Sequence, residues 1–276
     1  MKLRVVELLL VTTVPTMVLA EGGWPSIQLM AITLIGGTLA AGGANAINMY
    51  IDRDIDKLMV RTQNRPLVTG ALTPRAAMIF AIGLEIVAFL VLWAGANLLA
   101  AVLAVSATLF YVFVYSLWLK RTSKQNIVIG GAAGAMPVLV GWAAVTNSLG
   151  WAPVVLFIVI FLWTPPHVWA LAIRHADDYK AAGVPMMPVV VSLERTVRSM
   201  TTYAVLLTLS TLVLVPVAEL GWIYGITALV FGVAFVIGSV RLGSDPSPKR
   251  SMRLFTFSIT YVTAVFVALT VDVLLR

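Results

Sequence analysis

The sequence predicts an all-α polytopic membrane protein, a bundle of nine transmembrane helices forming a single domain over residues 1–276. Two observations predict it. Hydrophobic residues make up 60% of the chain and charged residues 11%, against about 25% charged in an ordinary soluble domain. The charges also gather in short clusters separated by apolar runs of about 20 residues, the length that crosses a hydrocarbon core of about 30 Å. A third observation, the side on which the cations fall, orients the bundle.

The apolar runs span 5–20, 26–50, 76–96, 98–118, 127–146, 152–173, 201–218, 222–241 and 255–275. The first is short and contains Glu7 and Pro15; it ends at Ala20-Glu21-Gly22-Gly23 without a small-x-small pattern, so no cleaved signal peptide is expected. Small residues in the second run (Gly36-Gly37, Gly42-Gly43) and the fifth (Gly130-Gly131, Gly134) mark faces where helices approach closely. The sixth carries Trp163-Thr164-Pro165-Pro166-His167-Val168-Trp169. Its two prolines remove backbone donors and predict a kink or break near Thr164. Glu85 in the third run and Asp272 in the ninth have no partner that the sequence identifies.

Of the 19 Lys and Arg residues, all but Arg276 fall before the first run or in alternate loops on one side of the bundle. The positive-inside rule makes that side cytoplasmic, with the amino terminus inside and the carboxy terminus outside. The opposite loops are short and carry Trp24, Trp151 and Trp222, suited to interfacial anchoring. A net charge of +7 raises the question of nucleic acid, but the cations sit in short loops rather than on a continuous face, so the expected partner is the lipid bilayer. Cysteine is absent, which excludes disulfides, thiolate metal sites and a cysteine nucleophile.

Two cytoplasmic loops, 52–75 and 174–200, hold the ionisable constellations. Asn48, Asp52 and Asp56 are four residues apart, so on a continuing α-helix they form one stripe, with Asn45 on the same side and Asp54 turned away. A lone aspartate at such a place is more often a solvated helix end paired with a neighbouring cation. Two aspartates and an asparagine on one face instead offer oxygen ligands to a hard cation such as Mg²⁺, which takes one or two carboxylates and fills its shell with water and phosphate oxygens. Loop 52–75 holds five Lys and Arg against three Asp. Arg61 and Arg65 suit phosphate oxygens, while Lys57 and Arg75 have topology as a sufficient role. Lys120 and Arg121 read equally as a topology signal or as phosphate or carboxylate binders. The second loop, Arg174-His175-Ala176-Asp177-Asp178-Tyr179-Lys180, is a further acidic segment available to such an ion. An intramembrane histidine such as His167 is a functional candidate, with hydrogen bonding inside the bundle as the alternative.

Asn48-x-x-x-Asp52-x-x-x-Asp56 followed by Arg61-Thr62-x-x-Arg65-Pro66-Leu67 resembles the first signature of the UbiA-type intramembrane prenyltransferases. The segments Thr164-Pro165-Pro166-His167 with Trp169, and Asp177-Asp178-Tyr179 with Gly183-x-Pro185-Met186-x-Pro188, are similar to the haem-farnesylating branch of that family. The resemblance covers essentially the whole chain. It implies a nine-helix bundle in a bacterial plasma membrane, and a reaction of farnesyl diphosphate with haem B that yields haem O for a terminal oxidase. It also implies haem-modifying or oxidase-assembly membrane proteins as partners. Asn48, Asp52, Asp56 and Asp178 would serve the Mg²⁺–diphosphate complex. Arg61, Arg65, Lys120, Arg121 and Tyr179 would contact substrate, with His167 and then His175 as candidate haem ligands. The chain departs from the wider family in the second loop, where Arg174-x-x-x-Asp178 and His175-x-x-x-Tyr179 stand in place of a second Asp-x-x-x-Asp. A symmetric pair of metal sites is therefore not expected. The competing readings are the same chemistry on a quinone-precursor ring, and a cation-coupled transporter, which should place its acids near the bilayer midplane.

Overall fold

Each apolar run folds as one long helix. These are α1 Leu3–Glu21, α2 Ile27–Ile51, α3 Pro74–Gly95, α4 Leu98–Thr122, α5 Asn126–Thr146, α6 Trp151–Arg174, α7 Leu193–Val217, α8 Trp222–Ser244 and α9 Pro248–Leu274. The structure, a computed structural model, describes residues 3–245 and 247–276, and the side chains of residues 3–10, Glu7 among them, lie outside what it describes. Eight helices, α2 to α9, are long and apolar enough to cross a membrane. No strand occurs among the described residues.

Local chemistry explains where the helices start. The Ser26 hydroxyl accepts from the Leu29 amide at 3.2 Å, and Thr73, Asn97, Ser192 and Ser247 cap α3, α4, α7 and α9 in the same way. Pro74 and Pro248 stand in the first turn of their helices, where a missing N–H loses nothing. These caps correct two of the expected bounds. Helices α7 and α9 begin about two turns before the apolar runs at 201 and 255, because Ser192 and Ser247 nucleate turns that carry Glu194 and Arg198, or Lys249 and Arg253.

Helix α2 packs along α3 through its glycines. A β-carbon on Gly36 would come within 2.5 Å of Leu92 Cγ, and one on Gly43 within 2.5 Å of Glu85 Oε1. Glu85, unpartnered in the sequence reading, accepts from the Thr108 hydroxyl at 3.2 Å. Asp272 also has partners: its carboxylate accepts from the Gly221 and Tyr224 amides at 2.7 and 2.9 Å, fastening the start of α8 to the end of α9, and it pairs with Arg276 at 3.2 Å.

Two apolar clusters form the interior. The larger joins α5 to α9 around Leu156, Trp169, Met200, Phe235, Tyr261 and Phe266. The smaller is built from alanines of α2 to α5, such as Ala40, Ala88, Ala100, Ala104 and Ala143, whose size leaves room beside them. A cavity of about 260 Å³ lies between α1, α2, α4 and α5, lined on α2 from Thr33 to Asn45.

Helix regularity differs from the sequence in two places, and one of them overturns an expectation. Helix α6 runs unbroken from Trp151 to Arg174 despite Pro165 and Pro166. Both prolines are buried, so packing on either side holds the α geometry while the carbonyls one turn earlier lose their usual donors. In α4, by contrast, residues Phe110–Leu119 form a π-helix, a wider turn frequent at functional sites.

Candidate active site

Helix α2 ends at Ile51, and Asp52 is its C-terminal cap, with the Asp52 amide bonded to the Asn48 carbonyl at 2.9 Å. The expected continuous helix through Asp56 is therefore corrected, since a short 3₁₀ turn, Ile55–Lys57, follows instead. The Asp56 amide still donates to the Asp52 carbonyl at 2.8 Å. That one bond preserves the four-residue spacing across the helix end, so the acidic stripe survives. Asn48, Asp52 and Asp56 are buried, at 4%, 0% and 1% relative exposure, whereas the Asp54 side chain is 60% exposed.

Each buried carboxylate meets a cation brought from elsewhere. Asp52 accepts from the Lys120 ammonium and from the Asn48 amide nitrogen, the latter at 2.8 Å. The same Asn48 nitrogen donates to the Ser116 hydroxyl at 3.0 Å. Ser116 in turn donates to the Tyr111 carbonyl five residues back at 2.9 Å, so the π-turn of α4 is what presents Ser116 to Asn48. Asp56 accepts from the Arg65 guanidinium. Arg65 reaches it because the residue before Pro66 is held extended, while Pro66 opens the short helix Pro66–Thr69 that turns the chain at Gly70, whose φ of 80° suits glycine. Thr62 closes the turn by donating to the Asp56 carbonyl at 2.9 Å.

Arg121 grips exposed Asp54 through both guanidinium nitrogens at 2.7 Å and donates to the Ile51 carbonyl at 2.9 Å. Its hydrogen bonds, and less strongly its charge, hold the Asp54 carboxyl well below the usual carboxylate range. Arg121 also lies 3.8 Å from Asp52 Oδ1, an oxygen that is buried and has no hydrogen-bond partner.

The second loop closes over the first. Asp178 Oδ1 accepts from the Val60 amide at 3.2 Å, and Asp178 Oδ2 lies 3.9 Å from His175 Nδ1. Arg61 stands 5.3 Å above the Tyr179 ring and 3.5 Å from its hydroxyl. Burial raises the Tyr179 phenol, keeping it protonated. The structure thus joins Asn48, Asp52, Asp56, Arg65, Lys120 and Arg121 in one cluster and brings Arg61, Asp178 and Tyr179 to its edge. Among the described residues no three His, Asp or Glu side chains gather as a metal site, and Asp178 is engaged with loop 52–75 through its backbone.

His167 lies inside the bundle. Its Nδ1 is 2.6 Å from the Ser258 hydroxyl, and its ring is stacked between Trp163 and Phe255 at 4.1 and 4.5 Å. The sequence reading missed Ser116 and assigned Thr62, quoted in the signature, no role. Ser116, four residues before Lys120, carried a detectable helical-face signal. Thr62 did not, because its role depends on a non-helical turn.

Asn45 and Tyr111 line the cavity between α1, α2, α4 and α5. Tyr111 also lies within Coulombic range of Asp52 and Asp56, so the apolar cavity meets the charged cluster at this tyrosine. From Thr33 to Asn45 the cavity follows α2 for twelve residues, or about 18 Å.

A family model described as the UbiA prenyltransferase family matches residues 9–263. Relatives named protoheme IX farnesyltransferase are similar over nearly the full chain. That of Frankia casuarinae is 54% identical, covering 99% of this chain and 96% of its own. That of Clavibacter sepedonicus is 51% identical, covering 99% and 90%. The fold resembles a solved digeranylgeranylglyceryl phosphate synthase, with a TM-score of 0.82 at 18% identity over 99% of this chain and 95% of that one. It also resembles a UbiA homologue from Archaeoglobus fulgidus bound to GPP and Mg²⁺, with a TM-score of 0.70 at 19% identity over 97% of both. The chain belongs to the UbiA prenyltransferase family and is a multi-pass integral membrane protein.

Proposed function

We propose that the chain transfers a farnesyl group from farnesyl diphosphate to a vinyl group of haem B, giving haem O. The protein would lie in a bacterial plasma membrane with this site facing the cytoplasm, supplying the haem-modifying or oxidase-assembly machinery. One observation carries the reaction class: a buried cluster of matched carboxylates and cations adjoins, at Tyr111, an apolar cavity that follows about 18 Å of α2. That pairing suits a molecule with a diphosphate head and a three-isoprene tail. The acceptor is proposed from the likeness to relatives named protoheme IX farnesyltransferase.

The residues present fit Mg²⁺. Asp52 Oδ1 is fully buried with no hydrogen-bond partner, and Asn48 and Asp56 flank Asp52 on the same stripe. These three would hold the ion, with Asp178 as a further proposed ligand from the second loop. Mg²⁺, when bound, supplies neutralisation of diphosphate charge.

Lys120 and Arg65 lie beside the same carboxylates, so an incoming diphosphate finds fixed cations beside it. Arg61, on the loop edge, adds a third. Charge grows on the leaving group as the carbon–oxygen bond breaks, and preorganised cations lower that barrier without reorganising. Tyr111 stands where the cavity meets the cluster; a tail in the cavity with its diphosphate on the cluster would bring the reacting carbon to this ring, and an aromatic ring stabilises an allylic cation. The haem vinyl attacks that carbon, and water captures the resulting cation. The products are a hydroxyethylfarnesyl side chain, diphosphate and one proton.

Incubating the purified chain with haem B, farnesyl diphosphate and Mg²⁺, then weighing the extracted haem, tests this. The expected product is heavier than haem B by one farnesyl and one hydroxyl group. Unmodified haem in a preparation that prenylates an aromatic quinone precursor would overturn the acceptor and retain the site.

A further inference from the structure

At the end of the bundle that holds the charged cluster, an open groove of about 720 Å³ runs along the outer face between the last residue of α6 and the first turns of α9. Its size falls within the roughly 300–1,000 Å³ of small-molecule sites. Arg174, Lys249 and Arg253 line it and are exposed, and no carboxylate does. Neighbouring Arg250 is engaged by Asp245 and by the Arg241 carbonyl, each at 3.0 Å. Among the described residues, however, the three groove cations make no ion pair. Below them the wall turns apolar at Met252 and Phe257, and the lining continues to Thr260, about 16 Å along α9 from Lys249.

Three unopposed cations above an apolar wall complement an amphiphile that carries two carboxylates on one edge. Resting on the haem reading above, we infer that this groove receives the acceptor, with its two propionates on Arg174, Lys249 and Arg253 and its macrocycle against Met252 and Phe257. Guanidinium groups bind carboxylates bidentately, and long cationic side chains at a membrane interface keep their heads in the polar layer while their stems cover apolar surface. The groove adjoins the second site loop. Arg174 precedes His175, and the same loop's Asp178 accepts the Val60 amide. On the other side of α9, Phe255 stacks on His167.

The test uses the full chain in nanodiscs of phosphatidylcholine alone, titrated with haem B and with haem B dimethyl ester, which lacks free carboxylates. Wild type should bind the free acid about tenfold more tightly than the ester. A variant combining Arg174→Gln, Lys249→Gln and Arg253→Gln should bind both forms equally, at the ester's affinity, with farnesyl diphosphate affinity unchanged as the check on folding. Equal affinity of wild type for acid and ester overturns the inference while leaving haem as acceptor. Discrimination that appears only after phosphatidylglycerol is added makes the groove a lipid-headgroup site and also overturns it. Failure to bind either haem, with farnesyl diphosphate still bound, removes the haem reading itself.

Discussion

Asp54 and Asp56 stand two positions apart and meet opposite fates. Asp56 is buried against Arg65, while Asp54 is exposed and held by Arg121. The different consequences of amidating each are therefore a test at the level of single side chains. Asp56→Asn leaves Arg65 unpaired in a buried site and removes a proposed metal oxygen, so kcat/KM should fall about a hundredfold or more. Asp54→Asn removes a surface pair worth about 0–1 kcal/mol, and kcat/KM should stay within about threefold. Comparable losses in steady-state assays of the two variants would sink the assignment of Asp56. The pH behaviour follows from the depressed Asp54 carboxyl. A value lower folded than unfolded gives stability that is complete above the unfolded carboxylate value of about 3.9 and is lost as pH falls below it. Any stability difference between Asp54→Asn and wild type should therefore be flat from about pH 5 to 8 and close only in stronger acid. The spacing of Asn48, Asp52 and Asp56 was legible in the sequence because a repeat of four survives the helix end through the Asp56 to Asp52 backbone bond. The pairing of Lys120 with Asp52, 68 residues apart, was not legible, since nothing local encodes it.

Among the elements, α6 and α4 show what pattern reasoning misses. Two prolines predicted a break in α6, but local loss of two donors is outweighed where both rings are buried in the core. The π-helix in α4 has no local signature, because it answers a distant demand, the Asn48 amide at the end of α2. Helix α6 also separates the two histidines. His167 lies within it, clamped between Trp163 and Phe255 with Nδ1 at Ser258. His175 caps its end, one-third exposed beside Asp178. A carboxylate near one ring nitrogen orients the other toward a metal, so we propose His175 ahead of His167 as the haem ligand, where the sequence reading proposed His167 first. His167→Ala should lower thermal stability, by about 2–4 kcal/mol for an emptied aromatic stack, and leave the optical spectrum of bound haem unchanged. His175→Ala should shift that spectrum with little change in stability. A spectral shift in the first variant alone would restore His167 as the ligand.

At the scale of the whole molecule, the nine long helices among the described residues were legible because apolar length and cation clustering are one-dimensional signals that the bilayer makes decisive. Which end of the bundle faces the cytoplasm depends on the membrane, and the distribution of cations is the argument for it. The ends of α2, α4 and α6 meet in one place through Lys120 to Asp52 and Val60 to Asp178, so all the site loops share one side, and a single orientation test reports on the whole site. The chain holds no cysteine, so an introduced thiol has no background. Gln63 in the site loop and Ser148 in an opposite loop are both exposed. In intact bacterial cells a membrane-impermeant maleimide should label Ser148→Cys and leave Gln63→Cys unlabelled until the membrane is opened. The reverse pattern would place the proposed diphosphate site outside, against the positive-inside rule and away from a cytoplasmic supply of farnesyl diphosphate.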